Sequence, residues 1–326
     1  MIALRTWAAS AIACLIALAG EPVAGQEAPY PSKPITIVVP WPPGGAADFL
    51  ARTIGQRLSE RLSQTVIIDN KPGAGTNIGT MAVASANPDG YTLLMASSAN
   101  CVNATLLPPA KVDFLRDFKP ITNVGLAPNV LVVNPAVAAK SVQELVALAK
   151  SEPGRLTYGS SGNGSAAQLG AEKFKLAAGL SIDGIPYKGA APAVVDLLGG
   201  QLSMMFTVIP ATLPHVNSGK LRLLAVASPQ RLPLFPNVPT VAEAGYPGFE
   251  SSIWYGLVAP GPTPDAIVTK LNKEITAILK EPEVAKRIAA QGVVPIGDSA
   301  SAFSETMKKD VSSYAVLIRK AKITAD

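Results

Sequence analysis

Backbone amides, more than side chains, are the groups in this sequence best placed to do chemistry. In "ITIVVPWPPGGAADFLAR" a strand-like run ends at Pro40 and turns through two more prolines and Gly44-Gly45. It then becomes a helical pattern with Leu50, Ile54, Leu58 and Leu62 on one face. "LTYGSSGNGSAAQLGAEKF" repeats that construction further along: a strand, a loop of glycine and serine, a helix. A helix start leaves about four amide N–H groups unpaired, and the helix dipole adds partial positive charge there. Glycine at Gly44, Gly45, Gly162 and Gly164 removes the side chains that would keep a ligand's oxygen away from those donors, while Ser160, Ser161 and Ser165 add hydroxyls. The chemistry on offer is anion capture without an arginine. At about 1.5 to 3 kcal/mol per hydrogen bond to a charged group, three or four such bonds suffice for roughly micromolar binding after association costs. A third loop, "NKPGAGTNIG", follows the strand "TVIID" and can bring Gly75, Thr76 and Asn77 to the same place. Any one of these loops reads equally well as a tight turn before a helix; three of them, each after a strand, favour a ligand site.

Other chemistries find little support. The loops match neither the P-loop pattern nor the glycine order of a dinucleotide site. His215 is the single histidine, which excludes a histidine-based metal site; it falls near the end of a helix that stops at Gly219, the position of a structural or exposed residue. No G-x-S-x-G elbow is present. Asp48 can act as acid or base but lies in the first turn after Gly45, where capping that helix is the simpler role; it would also meet an amine on a ligand. No catalytic residue, metal ligand or cofactor is assigned. The densest basic stretches, Lys308-Lys309 and Arg319 to Lys322, lie in a helical pattern without interleaved aromatics, so a solvated face is expected and nucleic-acid binding is not.

The elements that must position these loops follow from composition and pattern. At 326 residues the chain exceeds what one core usually supports, and 48% hydrophobic with 16% charged residues excludes a disordered or coiled-coil architecture. Two lobes are expected. Strands are read at "ITIVVP", "TVIID", "YTLLMAS", "NVLVVN", "LTYGSS", "LSMMFTV", "LRLLAVAS" and "WYGLVAP". Between them, Ser141 with Glu144 and Thr240 with Glu243 form capping boxes, Pro264 takes a first helical position, and Gly179, Gly199-Gly200 and Gly219 end helices. Alternating strands and helices imply a parallel or mostly parallel sheet, with ligands expected at the carboxyl ends of its strands.

Residues 1–25 read as a secretory signal peptide: Arg5, an apolar run from Trp7 to Gly20, then Val23, Ala24 and Gly25, giving a mature start at Gln26. The apolar run is shorter than the roughly 20 residues needed to cross a bilayer. No lipid anchor is read at Cys14. Cleavage loses Arg5 and Glu21, which cancel, so the net charge stays +5, a mild excess that suits anionic ligands. It also leaves Cys101 as the only cysteine, which excludes an intrachain disulfide and makes Cys101 a small buried hydrophobe.

With these loops in hand, the chain resembles the substrate-binding proteins of tripartite tricarboxylate transporters, the TctC or Bug family. The resemblance runs through "YPSKPITIVVPWPPGGAAD", "VIIDNKPGAGTNIG", "NPDGYTLL", "NVLVVNP", "LTYGSSGNGSAAQL", "PYKGAAPAVVDLLGGQLSMMF", "LPHVNSGKLRLLAV" and "FPNVPTVAEAGYPGFE", nearly the whole mature chain. It implies an α/β, two-lobed periplasmic binding protein fold, type II-like (a Venus flytrap), each lobe a mostly parallel sheet flanked by helices. It implies a non-enzymatic protein without cofactor that closes on a small carboxylate in the periplasm and delivers it to a membrane permease; oligomeric state is left open, with a monomer as the default. A sensory protein that docks on a membrane receptor would have the same lobes and is the alternative. In the family the carboxylate is held mainly by backbone amides, hydroxyls and water. Carried over, that points to Trp41, Gly44, Gly45, Ala46, Thr76 and Asn77, with Ser97 and Ser98 close by. Across the cleft it points to Ser161, Gly162, Asn163, Ser165 and Ala166, with Tyr187, Lys188 and Gly189 nearby. Two positions depart from many members: Gln168 stands in place of a histidine and Thr207 in place of an aspartate. Loss of that carboxylate disfavours an amino acid and favours a di- or tricarboxylate, or an aromatic carboxylate stacked near Trp41 or Tyr187. "NVLVVNP" would leave the first lobe and "SSIWYGLVAP" re-enter it, giving lobe 1 as residues 29–128 with 252–326 and lobe 2 as residues 129–251.

Overall fold

A computed structural model describes residues 30–107 and 112–325. The expected signal peptide and Cys14 lie outside the described residues. From Lys33 onward the chain is one compact unit.

In chain order, β1 (Ile35–Val39) leads through the first glycine loop into α1 (Ala46–Leu62), followed by β2 (Val66–Asn70). A short turn at Ala74–Thr76 opens α2 (Asn77–Ala84), and β3 (Thr92–Ser97) runs directly into α3 (Ser98–Leu106). After α4 (Phe114–Asp117) comes the long β4 (Phe118–Val133). Next are α5 (Val142–Ser151), β5 (Thr157–Ser160), α6 (Ala166–Ala178), β6 (Asp183–Pro186) and α7 (Ala190–Leu198). β7 (Met204–Val208), α8 (Ile209–Asn217) and β8 (Arg222–Val226) precede β9 (Ser252–Pro260). The chain closes with α9 (Asp265–Leu279), α10 (Pro282–Ala289), β10 (Val294–Pro295) and α11 (Ala300–Ala321).

The strands join in the order β2-β1-β3-β9-β4-β7-β5-β6, with β8 and β10 attached to β4. Pairing is parallel within β2-β1-β3 and within β7-β5-β6, where helices return the chain to the same end of the sheet. It is antiparallel at β3-β9, β9-β4 and β4-β7. The sheet is therefore mixed, its parallel wings meeting at a central antiparallel pair. β4 is the shared strand: its residues up to Pro128 pair with β9, and from Asn129 it pairs with β7. Side chains alternate across its second half. Leu131 and Val133 enter a core with Phe174, Phe206 and Phe249, while Val130 and Val132 enter one with Leu197, Met205 and Ile209. A third core, around Val38, Leu94, Trp254 and Phe303, lies against the other wing.

The first half of β4 escaped sequence reading because "FKPITNVGLAP" carries two prolines and a glycine. It remains a strand because the register shifts twice, between Pro120 and Thr122 and between Asn123 and Gly125, so Pro120 and Gly125 flank bulges, while Pro128 stands at the end of the pairing with β9. β6 and β10 were missed for brevity. The Thr240–Glu243 box forms in both directions, Glu243 N to Thr240 Oγ1 at 2.9 Å and Thr240 N to Glu243 Oε2 at 2.8 Å, yet it closes a turn, not a helix. Pro264 lies one residue before α9, as its N-cap. Gly179 ends α6 at φ +63°, as expected.

Candidate functional site

Two of the glycine loops are each held by a side chain from the helix they precede. In the first, Gly44 has φ +91°, a conformation that disfavours any side chain, and its N–H donates to Asp48 Oδ2 at 3.0 Å. Asp48 is buried, accepts from Arg52 Nε at 3.0 Å and from Asn70 Nδ2 at 3.0 Å, and pairs with Arg52 Nη2 at 2.9 Å. Burial pushes the Asp48 carboxyl up, but the bonds from Arg52, the Gly44 amide and Asn70 together hold it below its usual range. Asn70 also donates to the Trp41 carbonyl at 3.1 Å, which ties the loop to the end of β2. The Asp48 carboxylate is thus spent on bracing the loop, and so is the Gly44 amide. The amides of Gly45, Ala46 and Ala47 open α1, where no intrahelical acceptor exists. Gly45 caps that end with no side-chain bond, and the space around it is open: a Cβ there would meet no atom within 4 Å.

The same device holds the second loop. Gly164 has φ +71° and donates its N–H to Gln168 Oε1 at 2.7 Å. Gln168 Nε2 reaches Asn163 Oδ1 at 3.2 Å, and Ser165 Oγ accepts from Gln168 N at 3.3 Å, capping α6. Gln168 acts here as a neutral counterpart of Asp48. Gly162, at φ +119°, lies against Tyr187: a Cβ on it would be 3.5 Å from the Tyr187 carbonyl oxygen. Tyr187 N donates to Ser160 O at 3.0 Å, so Tyr187, Lys188 and Gly189 flank the loop before α7. The Tyr187 hydroxyl donates to Asp196 Oδ2 at 2.7 Å; that bond, ahead of burial, pushes the phenol up to about 12. Lys188 is exposed, whereas Thr207 is buried in β7 opposite Val130.

The third loop joins the first two strands' ends. Gly79 lacks the Cβ that would sit 2.8 Å from Pro40 Cβ, so α2 packs directly on the end of β1. Thr76 is buried at φ +84°, an unusual conformation for a β-branched residue, and its Oγ1 accepts from Asn103 Nδ2 at 3.3 Å and from Asn100 Nδ2 at 3.4 Å. Asn100 Oδ1 in turn accepts from Ser97 N at 2.9 Å, which links Thr76 and Asn77 to the start of α3. Ser97 and Ser98 are both buried, with Ser97 Oγ capping Ala99 N at 3.1 Å and the Ser98 hydroxyl bonded to Tyr314. Their hydroxyls thus fix α3 in place.

Several residues in this arrangement had no sequence signal. Asn70 and Asn100 are ordinary polar residues whose Nδ2 groups donate to residues distant in the chain. Tyr255 of β9 pairs with Ser97, and its ring meets Trp41 edge-on at 6.3 Å. Burial pushes the Tyr255 phenol up to about 12. Asn129 stands where β4 changes partner; its Nδ2 donates to Ala166 O at 3.0 Å and to Ser251 Oγ at 2.8 Å, tying the start of α6 to both crossing strands.

Known proteins share this architecture. The family described as "Tripartite tricarboxylate transporter family receptor" matches residues 50–323. Protein BugT of Bordetella pertussis is 40% identical over 311 residues, which is 95% of either chain. Among solved structures, Rpa4515 of R. palustris with adipate aligns with TM-score 0.80 at 34% identity, covering 91% of this chain and 100% of that one. MatC from Rhodopseudomonas palustris with bound malate aligns with TM-score 0.75 at 29% identity, covering 89% and 100%. With glycine-led loops at both wings of a two-lobed sheet and a match over most of its length, the chain belongs to the tripartite tricarboxylate transporter receptor family of periplasmic binding proteins.

Proposed function

We propose that this protein captures a small di- or tricarboxylate in a cleft between two lobes, residues 29–128 with 252–326 and residues 129–251. The observation that carries this is the bare start of α1 at Gly45, where open amides border space that the fold leaves empty. The ligand's carboxylate takes the amides of Gly45 and Ala46 from one side, with Asn77 at the edge. Ser161, Gly162, Asn163, Ser165 and Ala166 act from the other. Trp41, Tyr187, Lys188 and Gly189 border the ligand, and Thr207 presents no carboxylate to an amine. The adipate and malate carried by the two R. palustris proteins are of this chemical class. Delivery to a membrane permease completes the role, after export of the chain to the periplasm and cleavage of its leader, with the monomer as the working unit.

A thermal-shift and calorimetric panel of C4 to C6 dicarboxylates, citrate and benzoate tests this reading. A ligand at 100 times its dissociation constant stabilises the fold by about 2.7 kcal/mol. No stabilisation by any carboxylate would refute it.

A further inference from the structure

Apart from the two sets of loops, an apolar contact joins the wings of the sheet. α3 leaves β3 on one wing, and α6 leaves β5 on the other. They meet at Gly164, where a Cβ would lie 2.3 Å from Leu106 Cδ1 and 3.4 Å from Val102 Cγ1. Only a bare Cα lets Leu106 sit there. Behind that contact, Val102 of α3, Leu169 of α6, and Ile318 and Ile323 of the C-terminal helix region form one buried cluster, with Leu106 packed against it. None of these side chains offers a ligand a polar group.

Apolar burial is indifferent to whether a ligand is present. We infer that Leu106 seated on Gly164 is a ligand-independent latch, which holds the two wings together in the empty protein. The latch raises the fraction of molecules whose loops are already positioned to bind, and apparent affinity scales with that fraction. Gly164 is then glycine for two reasons, its φ of +71° and the side chain seated on it. The inference deepens the carboxylate reading, because Gly164 belongs to the second ligand loop, but it does not depend on which ligand binds.

Small-angle X-ray scattering of the ligand-free protein and of Leu106→Ala and Leu106→Met tests it, with circular dichroism and thermal melts to establish that each variant is folded. The parent and L106M are expected to scatter alike. L106A is expected to exceed them in radius of gyration by on the order of 1 Å, against about 20 Å for a compact chain of this length. If L106A does not fold, Leu106→Val serves the same comparison. Folded L106A with a curve superposable on the parent's overturns the latch. Titration with adipate and malate forms a second arm, in which L106A weakens any binding by roughly tenfold. A parent that binds neither acid counts against the carboxylate reading, while the scattering still decides the latch.

Discussion

Gly44 and Gly45 are adjacent and chemically identical, yet the fold needs them for different reasons. Gly44 is required by its backbone, with φ +91° and its N–H held by Asp48. Gly45 has an ordinary φ of −82° and open space at its Cβ position, so nothing in the packing excludes a side chain there. Gly45→Val is therefore expected to cost no more than about 1 kcal/mol of stability, the penalty of a poor N-cap. It should nevertheless weaken carboxylate binding at least tenfold, the equivalent of about 1.4 kcal/mol, because the methyl groups cover the α1 amides. Urea denaturation and titration calorimetry on one preparation check both halves. Asp48 predicts a pH dependence. Its carboxyl is lowered in the folded protein, so its stabilisation is complete above the ordinary aspartate value of 3.8 and is lost as pH falls through the lowered value. Melting temperatures of the parent and Asp48→Asn, measured from pH 7 down to pH 2.5, should differ at neutral pH and converge in acid. A constant gap across that range would assign Asp48 no titrating role.

At the scale of elements, what sequence reasoning reached and what it missed divide along a physical line. The strands built from unbroken β-branched and leucine runs, such as Ile35–Val39 and Thr92–Ser97, were legible because a fully buried strand needs apolar residues on both faces. The glycine loops were legible because Gly44, Gly162 and Gly164 occupy conformations that other residues resist. The braces were not, since a polar residue such as Asn70 acquires its partner 22 positions away only when β2 aligns beside β1. The first half of β4 was hidden by Pro120 and Gly125, which stand where its register slips, and by Pro128, which stands where its pairing with β9 ends. One glycine inside a strand makes a separate prediction. At Gly256 of β9 a Cβ would lie 2.2 Å from Phe303 Cζ and 3.0 Å from the Thr122 carbonyl oxygen, with backbone on one side and a core ring on the other. Gly256→Ala is expected to destabilise the protein by about 1 to 3 kcal/mol through overpacking, read as a lower denaturation midpoint with an unchanged m-value.

For the whole molecule, the sheet is continuous through β4 and β9, and β4 passes from β9 to β7 between Pro128 and Asn129, the place where we propose that one wing moves against the other. Asn129 sits at that point and binds the start of α6 to Ser251, which ties the second loop to the crossing. Binding that spans both wings would then report closure. The most direct test of anion capture is isothermal titration of the protein with adipate and malate beside adipamide, an uncharged compound of adipate's length. One-to-one binding of at least one dicarboxylate, with no detectable heat from adipamide and with the affinity lost in Gly45→Val, is the predicted result. Equal binding of adipamide, or undiminished affinity in the variant, would contradict it.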